Sequence, residues 1–285
     1  MGKKRDFHKR LKPFLNCKDF TVSGESYEVM FNEEYDMMVT SPIPVDIENY
    51  YKSEDYISHT DSKKSLFDKA YQLVKNLTLK KKLSLINSFK TDSKNILDVG
   101  AGTGDFLKFC SNKGWNISGV EPNINAINKA AEKGVFLNED IDQIAKGNFD
   151  VITLWHVLEH VENLSDYITK LKNLLSKNGR LVIAVPNYKS YDAKYYKEFW
   201  AAFDVPRHLW HFSQSSIHKI FSEESMIVEK TIPMKFDAYY VSLLSEKYKK
   251  GKMKPLNSFY RGLLSNIKAR KTCEYSSLIY VLKKY

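Results

Sequence analysis

The sequence predicts an α/β fold, a doubly wound and mostly parallel sheet covered by helices on both faces. Three observations point there. From Asn95 onward, strand-like and helix-like segments alternate. The strand segments, among them "NILDVG", "FDVITLW" and "GRLVIAVP", are near-continuous runs of apolar residues, the composition of strands buried on both faces. The first of them runs into the glycine-spaced stretch "NILDVGAGTGDFL", Asn95 to Leu107. A backbone that bare is used where a strand turns into a helix against a ligand.

Taken in order, residues 1–61 read as an irregular N-terminal extension, with "TSPIPVDIENYY" as proline-punctuated loop. From Ser62 to about Phe89 the spacing of Leu66, Phe67, Tyr71, Val74, Leu77, Leu83 and Ile86 is helical, with a break expected at Thr78. "NILDVG" is then a buried strand and "DFLKFCSNKG" a short helix closed by Gly114. "NISGVEP" is a strand, "NINAINKAAEKG" a helix capped by Asn123 and ended at Gly134, and "VFLNE" a short strand. "FDVITLW" is a strand, and the helix after it carries Leu164, Ile168, Leu171 and Leu175 on one face. "GRLVIAVP" follows as a buried strand. "MIVEKTIPM" and "SSLIYVLKK" are the last two, separated by a helical insertion at about residues 236–276.

Bulk composition narrows the function. No apolar run reaches the roughly 20 residues of a membrane span, so no membrane span is expected. The basic start "MGKKRDFHKRLKPFLNC" lacks the apolar stretch of a secretory signal. Cys17, Cys110 and Cys273 are widely spaced, which fits a reducing cytoplasm better than a disulfide framework or a cysteine zinc site. The net charge of +10 is uneven: residues 95–186 carry −2, leaving +12 on the two flanks. Such flanks are solvated surface or attract an acidic partner or substrate; no nucleic-acid motif accompanies them.

The glycine loop distinguishes two ligand chemistries. A dinucleotide fingerprint needs a third glycine where this chain has Asp105, and an acid beside a pyrophosphate is repulsive. Asp98 adds a second carboxylate at the strand end. A sulfonium and an ammonium reverse that preference. Glu121, ending the second strand, suits ribose hydroxyls, and Asp140, after the third, suits an adenine amine.

Here the chain resembles the class I S-adenosylmethionine-dependent methyltransferases. "ILDVGAGTGDFL" is similar to their glycine-rich motif, "GVEPN" to their ribose-binding acid, and "FDVITLWHVLEHV" to the strand and turn after the adenine site. "DVPRHLWHFS" and "YYKSEDYISH" resemble a bacterial branch near the ubiquinone-biosynthesis O-methyltransferases and sugar C-methyltransferases. The resemblance covers about residues 62–285 and implies a Rossmann-like seven-stranded sheet of order 3-2-1-4-5-7-6 with the last strand antiparallel. It implies S-adenosylmethionine as cofactor and a small-molecule acceptor, with O- or C-methylation favoured. Asp98, Gly100, Ala101, Gly102 and Gly104 would cradle the methionine end. Glu121, with Pro122 after it, would hold the ribose; Asp140 and Ile141 would contact adenine; Leu154, Trp155 and His156 would lie under the methionyl part. Tyr56 would close over the cofactor or simply pack. Sugar C-methyltransferases of this kind begin with a cysteine-rich zinc segment; only Cys17 stands in that region, so no zinc lobe is expected.

"HVLEH", His156 to His160, also spells the inverted zincin pattern, which on a regular helix would make a metallohydrolase. Its position directly after a strand argues against that. The ubiquinone branch carries Glu-x-x-Glu-His at this turn, which implies a divalent cation near Glu159 and His160; the alternative is that these two only shape the turn. His156 in place of the first Glu makes magnesium less apt. A methyl acceptor needs a base near neutrality, and histidine is the default. His8 and His218 are expected to be structural or exposed. His59, His156, His160, His208 and His211 are expected at the carboxyl edge of the sheet. His208 in "DVPRHLWHFS" is the leading base and His160 the second, with Arg207 placed to hold an anionic or carbonyl group. "YDAKYYKEFWAAF" reads as a lid or pocket wall, or as a packed helix. An inactive, methyltransferase-like binding module is the remaining alternative.

Overall fold

The structure, a computed structural model, describes residues 5–51, 66–91, 93–144 and 147–285. The buried apolar runs form strands β4 (Asn95–Val99), β5 (Asn116–Val120), β6 (Phe149–Trp155), β7 (Leu175–Pro186), β9 (Met226–Pro233) and β10 (Ser277–Lys284). They hydrogen-bond in the order β5-β4-β6-β7-β10-β9. β4 is parallel to β5 and β6, and β6 to β7, while β10 runs antiparallel to both β7 and β9. Ile96, Leu97, Ile152, Leu154, Leu181 and Ile183 are fully buried, as expected of strands covered on both sides. The chain leaves β4 in one direction to β5 and later returns on its other side to β6. That reversal puts a crevice beyond the carboxyl end of β4.

Compared with the seven-stranded expectation, the segment Val135–Glu139 is not a strand. It keeps one parallel bridge, Val120 to Asn138, with Asn138 N–H donating to Gly119 O and Glu121 N–H to Asn138 O. Asp140 then caps a short turn, taking the chain away from the sheet edge. The expected break at Thr78 is also absent. α1 (Leu66–Asn87) is continuous, and the Thr78 hydroxyl donates to Val74 O at 2.9 Å inside it.

The larger correction concerns the N-terminal extension, whose described residues, 5–51, are not irregular: β1 (Leu11–Lys18), β2 (Ser26–Asn32) and β3 (Met37–Ser41) form an antiparallel sheet. It is completed by β8 (Trp210–His211), which pairs Met38 with His211 and Val39 with Trp210. "FLNCK" and "SYEVMFN" do alternate between buried and exposed positions, but only weakly, because this sheet is short and its buried face rests on the main domain. Met37, Val39 and Tyr35 belong to the same apolar core as Leu154 and Leu209. The aromatic stretch before β8 packs as well. Tyr196, Trp200 and Phe203 are buried against Tyr27, Val29 and Met38, so of the two readings, lid or pocket wall against packed element, the stretch is a packed one.

Helices α2 (Asp105–Ser111), α3 (Ile124–Glu132), α4 (Leu164–Leu174), α5 (Tyr191–Tyr196) and α6 (Gln214–Ser222) connect these strands. The insertion before β10 is a helical hairpin, α7 (Asp237–Lys250) and α8 (Pro255–Thr272).

Candidate active site

The crevice beyond β4 is bounded first by the glycine loop. Gly100, Gly102 and Gly104 all have positive φ, between +55° and +72°. Two are tight for different reasons. A Cβ on Gly100 would collide with Val157 Cγ2, and one on Gly104 would lie 3.0 Å from the Ala130 side chain. Gly102 differs: a Cβ there would meet nothing within 4 Å among the described residues. The loop is thus fixed from behind and open in front, the shape of a cradle. Its first amides, Gly100 and Ala101, both donate to Val120 O at 2.8 and 3.0 Å.

Two carboxylates flank the cradle. Glu121 accepts Gly102 N–H on one oxygen at 2.8 Å and Asn123 N–H on the other at 2.9 Å, spanning Pro122. Burial raises its pKa against those two bonds. Each oxygen retains acceptor capacity. Asp98 is buried and accepts the Thr153 hydroxyl at 2.5 Å. Burial pushes it up to about 6, against that bond and the nearby Lys82 ammonium. Asp105 is not a third. Lys75 and Lys133 hold it at 2.6 and 2.7 Å, so its charge is spent on α1 and the end of α3.

Lys82, on α1, is a residue the sequence reading missed. Its ammonium lies 4.1 Å from the Trp155 ring centroid, and burial lowers it to about 8 despite Asp98 and Asp237 nearby. One lysine in "LKKKL" carries no signal of its own. Trp155 packs edge-on to Phe106, and its indole Nε1 is buried with no hydrogen-bond partner among the described residues. Leu154 and Ile141 point into the core, so they can offer a ligand backbone but little side chain. Asp140 is exposed, and its carboxylate accepts Asp142 N–H at 2.7 Å. Tyr56 and His59 lie outside the described residues.

The turn after β6 sits on the cradle through Val157. Only Leu158–His160 is helical, as one 3-10 turn, and His156 has φ +57°. The two histidines of "HVLEH" therefore do not share a helical face. His156 turns away to Glu159 Oε1 at 3.3 Å and Asp237 Oδ2 at 3.1 Å. Burial works against its charge, yet those two carboxylates raise its pKa well above the histidine range. The zinc-peptidase ligand pair is not formed. Asp237, at the start of α7 and 81 positions away, is a second residue that local spacing could not reveal.

His160 faces the other way. Its Nδ1 donates to Arg207 O at 3.0 Å, with the Tyr51 hydroxyl at 3.1 Å, so the ring lone pair lies on Nε2. Burial, reinforced by His208, lowers it to about 4, leaving a neutral imidazole at pH 7. His208 meets it edge-to-face at 4.6 Å between ring centroids, and its Nδ1 donates to Ala202 O at 2.9 Å. His211 is buried further back and donates from Nε2 to Thr40 Oγ1 at 2.9 Å. One ligand atom each from Glu159, His160 and His208 lie within 4.8 Å of one another. The second Glu159 oxygen is buried with no hydrogen-bond partner among the described residues. One oxygen and two nitrogens suit a borderline divalent ion better than magnesium.

Arg207 is turned inward rather than towards the crevice, its guanidinium paired with carboxylates. It is buried, donates to Asp204 at 2.6 and 3.0 Å and to Asp19 at 3.1 Å, and also bonds the Thr21 hydroxyl. Asp19 in turn accepts the Thr21, Val22 and Ser23 amides, and despite its burial its pKa falls to about 2. The guanidinium therefore bolts the His208 loop to the turn between β1 and β2.

A family model described as a methyltransferase domain matches residues 55–224, more than half of the chain. The mitochondrial ubiquinone biosynthesis O-methyltransferase of Schizosaccharomyces pombe is 33% identical over 102 residues, 32% of this chain and 37% of that protein. The ubiquinone biosynthesis O-methyltransferase of Rickettsia conorii is 31% identical over 134 residues, 41% of this chain and 46% of that protein. The chain thus spans less than half the length of these curated relatives. Among solved structures, magnesium protoporphyrin IX methyltransferase from Synechocystis with bound SAH superposes with a TM-score of 0.56 at 15% identity. That match covers 84% of this chain and 98% of that one, a likeness of fold.

Proposed function

The chain belongs to the methyltransferase-domain family, and from that membership we propose that it transfers the methyl group of S-adenosylmethionine to a small-molecule acceptor, a hydroxyl being the favoured acceptor group. The observation that carries the reading is the open face of Gly102 between the carboxylates of Asp98 and Glu121. A cationic sulfonium ligand gains from that surrounding, whereas a pyrophosphate would be repelled. The residual lone pairs of Glu121 suit ribose hydroxyls. Bound there, the cofactor supplies an electrophilic methyl carbon, and the chain's own residues align the acceptor and take its proton.

For that proton we favour His160, with His208, the leading candidate from the sequence, as its neighbour. His160 is the less buried of the two and is locked as a donor at Nδ1, so that its lone pair is on Nε2. Burial holds its pKa at about 4, so that lone pair is unprotonated at pH 7 but weakly basic. It takes the proton only as the methyl transfer makes the acceptor acidic. His208 buttresses it. The trio Glu159, His160 and His208 would also hold a divalent ion, which would polarise an acceptor hydroxyl in place of a base.

Calorimetry with S-adenosylhomocysteine and with NAD tests the cofactor assignment. Binding of the first and not the second is expected; the reverse would end it. Turnover assays with a panel of hydroxylated small molecules, run before and after chelator treatment, then separate base from metal. Activity that survives chelation keeps His160 as the base.

A further inference from the structure

The hairpin of α7 and α8 has an unusual arrangement of side chains. What α8 buries against the protein is small: Ser258, Gly262, Ser265 and Ala269. Gly262 permits the close approach, since a Cβ there would stand 2.9 Å from Tyr239 Cα. The large apolar residues of the same helix face out. Leu256 is 89% exposed and Phe259 60%, and Leu263 and Ile267 are exposed as well. Their spacing of three or four places them on one stripe along the helix. Met253 extends the stripe at the N-terminal end. An apolar stripe turned outward on a surface helix marks a docking face.

The charge around it identifies what docks. From Lys247 to Thr272 the chain has nine Lys or Arg and no Asp or Glu. Lys250, Lys252 and Lys254 stand at one end of the stripe, Arg270 and Lys271 at the other, all exposed. Lys249, Arg261 and Lys268 turn back over Tyr195 and Tyr191, but a second copy meeting the same face would still set the exposed Lys250, Lys252, Lys254, Arg270 and Lys271 against cations of their own kind, which disfavours self-association. Apolar residues between basic flanks, with Phe259 and Tyr260 among them, are the pattern of a helix lying in a lipid–water interface. Among the described residues no helix is long and apolar enough to cross a membrane, so the contact is peripheral.

We propose that the α7–α8 hairpin docks on an anionic bilayer surface. Leu256, Phe259, Leu263 and Ile267 enter the interface, and the lysines at either end of the stripe contact headgroup phosphates. The proposal is independent of the acceptor and of the catalytic assignments above.

Vesicle sedimentation tests it with the full chain. Vesicles of phosphatidylcholine containing phosphatidylglycerol should carry the protein down at low salt, and added salt should release it. Vesicles of phosphatidylcholine alone should leave most of it in the supernatant. The double variant Leu256→Gln, Phe259→Gln should lower partitioning at least about tenfold. The triple variant Lys250→Glu, Lys252→Glu, Lys254→Glu should lower it on the order of a hundredfold. These side chains are exposed, so both variants should keep the parent's thermal midpoint; the comparison of the two vesicle types decides even if they do not. Failure to sediment with anionic vesicles, or equal partitioning onto both kinds, overturns the proposal. So does a dimer in light scattering that the Leu256→Gln, Phe259→Gln variant dissolves, because the face would then belong to a second copy.

Discussion

In the cradle half of the candidate site, Asp98, the glycine loop and Glu121 lie within 24 consecutive residues, whereas the histidine half is gathered from Asp19, Tyr51, His160, Arg207 and His208. The cradle is made by strand order. Two adjacent parallel strands end side by side, and the backbone between them does the rest. The histidine half is made by long-range polar contacts: Arg207 to Asp19, His160 to Arg207 O, Leu209 N–H to Glu159 O at 2.8 Å. A site with two such origins should fail in two distinguishable ways. Damage to the cradle should weaken cofactor binding. Damage to the histidine half should cost turnover or stability and leave cofactor binding alone.

The sharpest form of that contrast is His160→Ala. It should leave S-adenosylhomocysteine affinity nearly unchanged, while turnover falls roughly 100-fold, the lower end of a general base's usual share, because its pKa of about 4 makes it a weak one. If affinity and turnover fell together, the two halves would not be separable. If neither changed, His208 would return as the candidate. Next in size is Arg207→Ala, which strands the buried Asp19 carboxylate and removes most of the support of Asp204. Breaking a buried pair from one side costs about 3–5 kcal/mol of folding stability. Urea denaturation reads it directly; a loss under about 1 kcal/mol would mean that water replaces the guanidinium.

The same division explains what the sequence disclosed. The sheet and its cradle were legible because buried parallel strands leave apolar runs and a ligand loop leaves glycines, both within a few residues. The third strand was overcalled, since "VFLNE" has strand composition but the Asp140 cap ends the segment after one bridge. The N-terminal sheet was missed because its alternation is short and its fourth strand is only Trp210–His211, some 170 residues on. Arg207 was misread for a related reason. An arginine beside two histidines looks like a substrate clamp until Asp19, 188 positions earlier, is seen to neutralise it. Lys82 and Asp237 left no trace, as their meaning lies entirely in what they face.

A smaller effect is expected in the cradle. Glu121→Ala should weaken S-adenosylhomocysteine binding by about 1–3 kcal/mol, the cost of leaving hydrogen-bonding groups unpaired. Gly102 and Asn123 amides would lose their acceptor too, so the loop itself should loosen. Turnover at saturating cofactor should change far less. An unaltered affinity would remove Glu121 from the ribose role and weaken the division between halves.

The subtlest test is the pH dependence of cofactor binding, set by Asp98. Burial raises this acid to about 6, with Thr153, Lys82 and Glu121 as the groups that face it. Below that pH it is neutral, and above it a carboxylate. A cationic ligand prefers the carboxylate, so affinity should rise with pH, by at most about tenfold per unit, towards pH 6 and then level off. Asp98→Asn should flatten the curve at its low-affinity end. The same raised pKa supplies a control on folding. The neutral acid stabilises the fold fully below its ordinary unfolded value of 3.8, and that contribution is lost as pH rises through about 6. At neutral pH the variant should therefore be at least as stable as the parent, and its weak binding could not be blamed on unfolding. A parent affinity that is flat from pH 5 to pH 7, measured at constant ionic strength, would remove Asp98 from contact with the cofactor's charge.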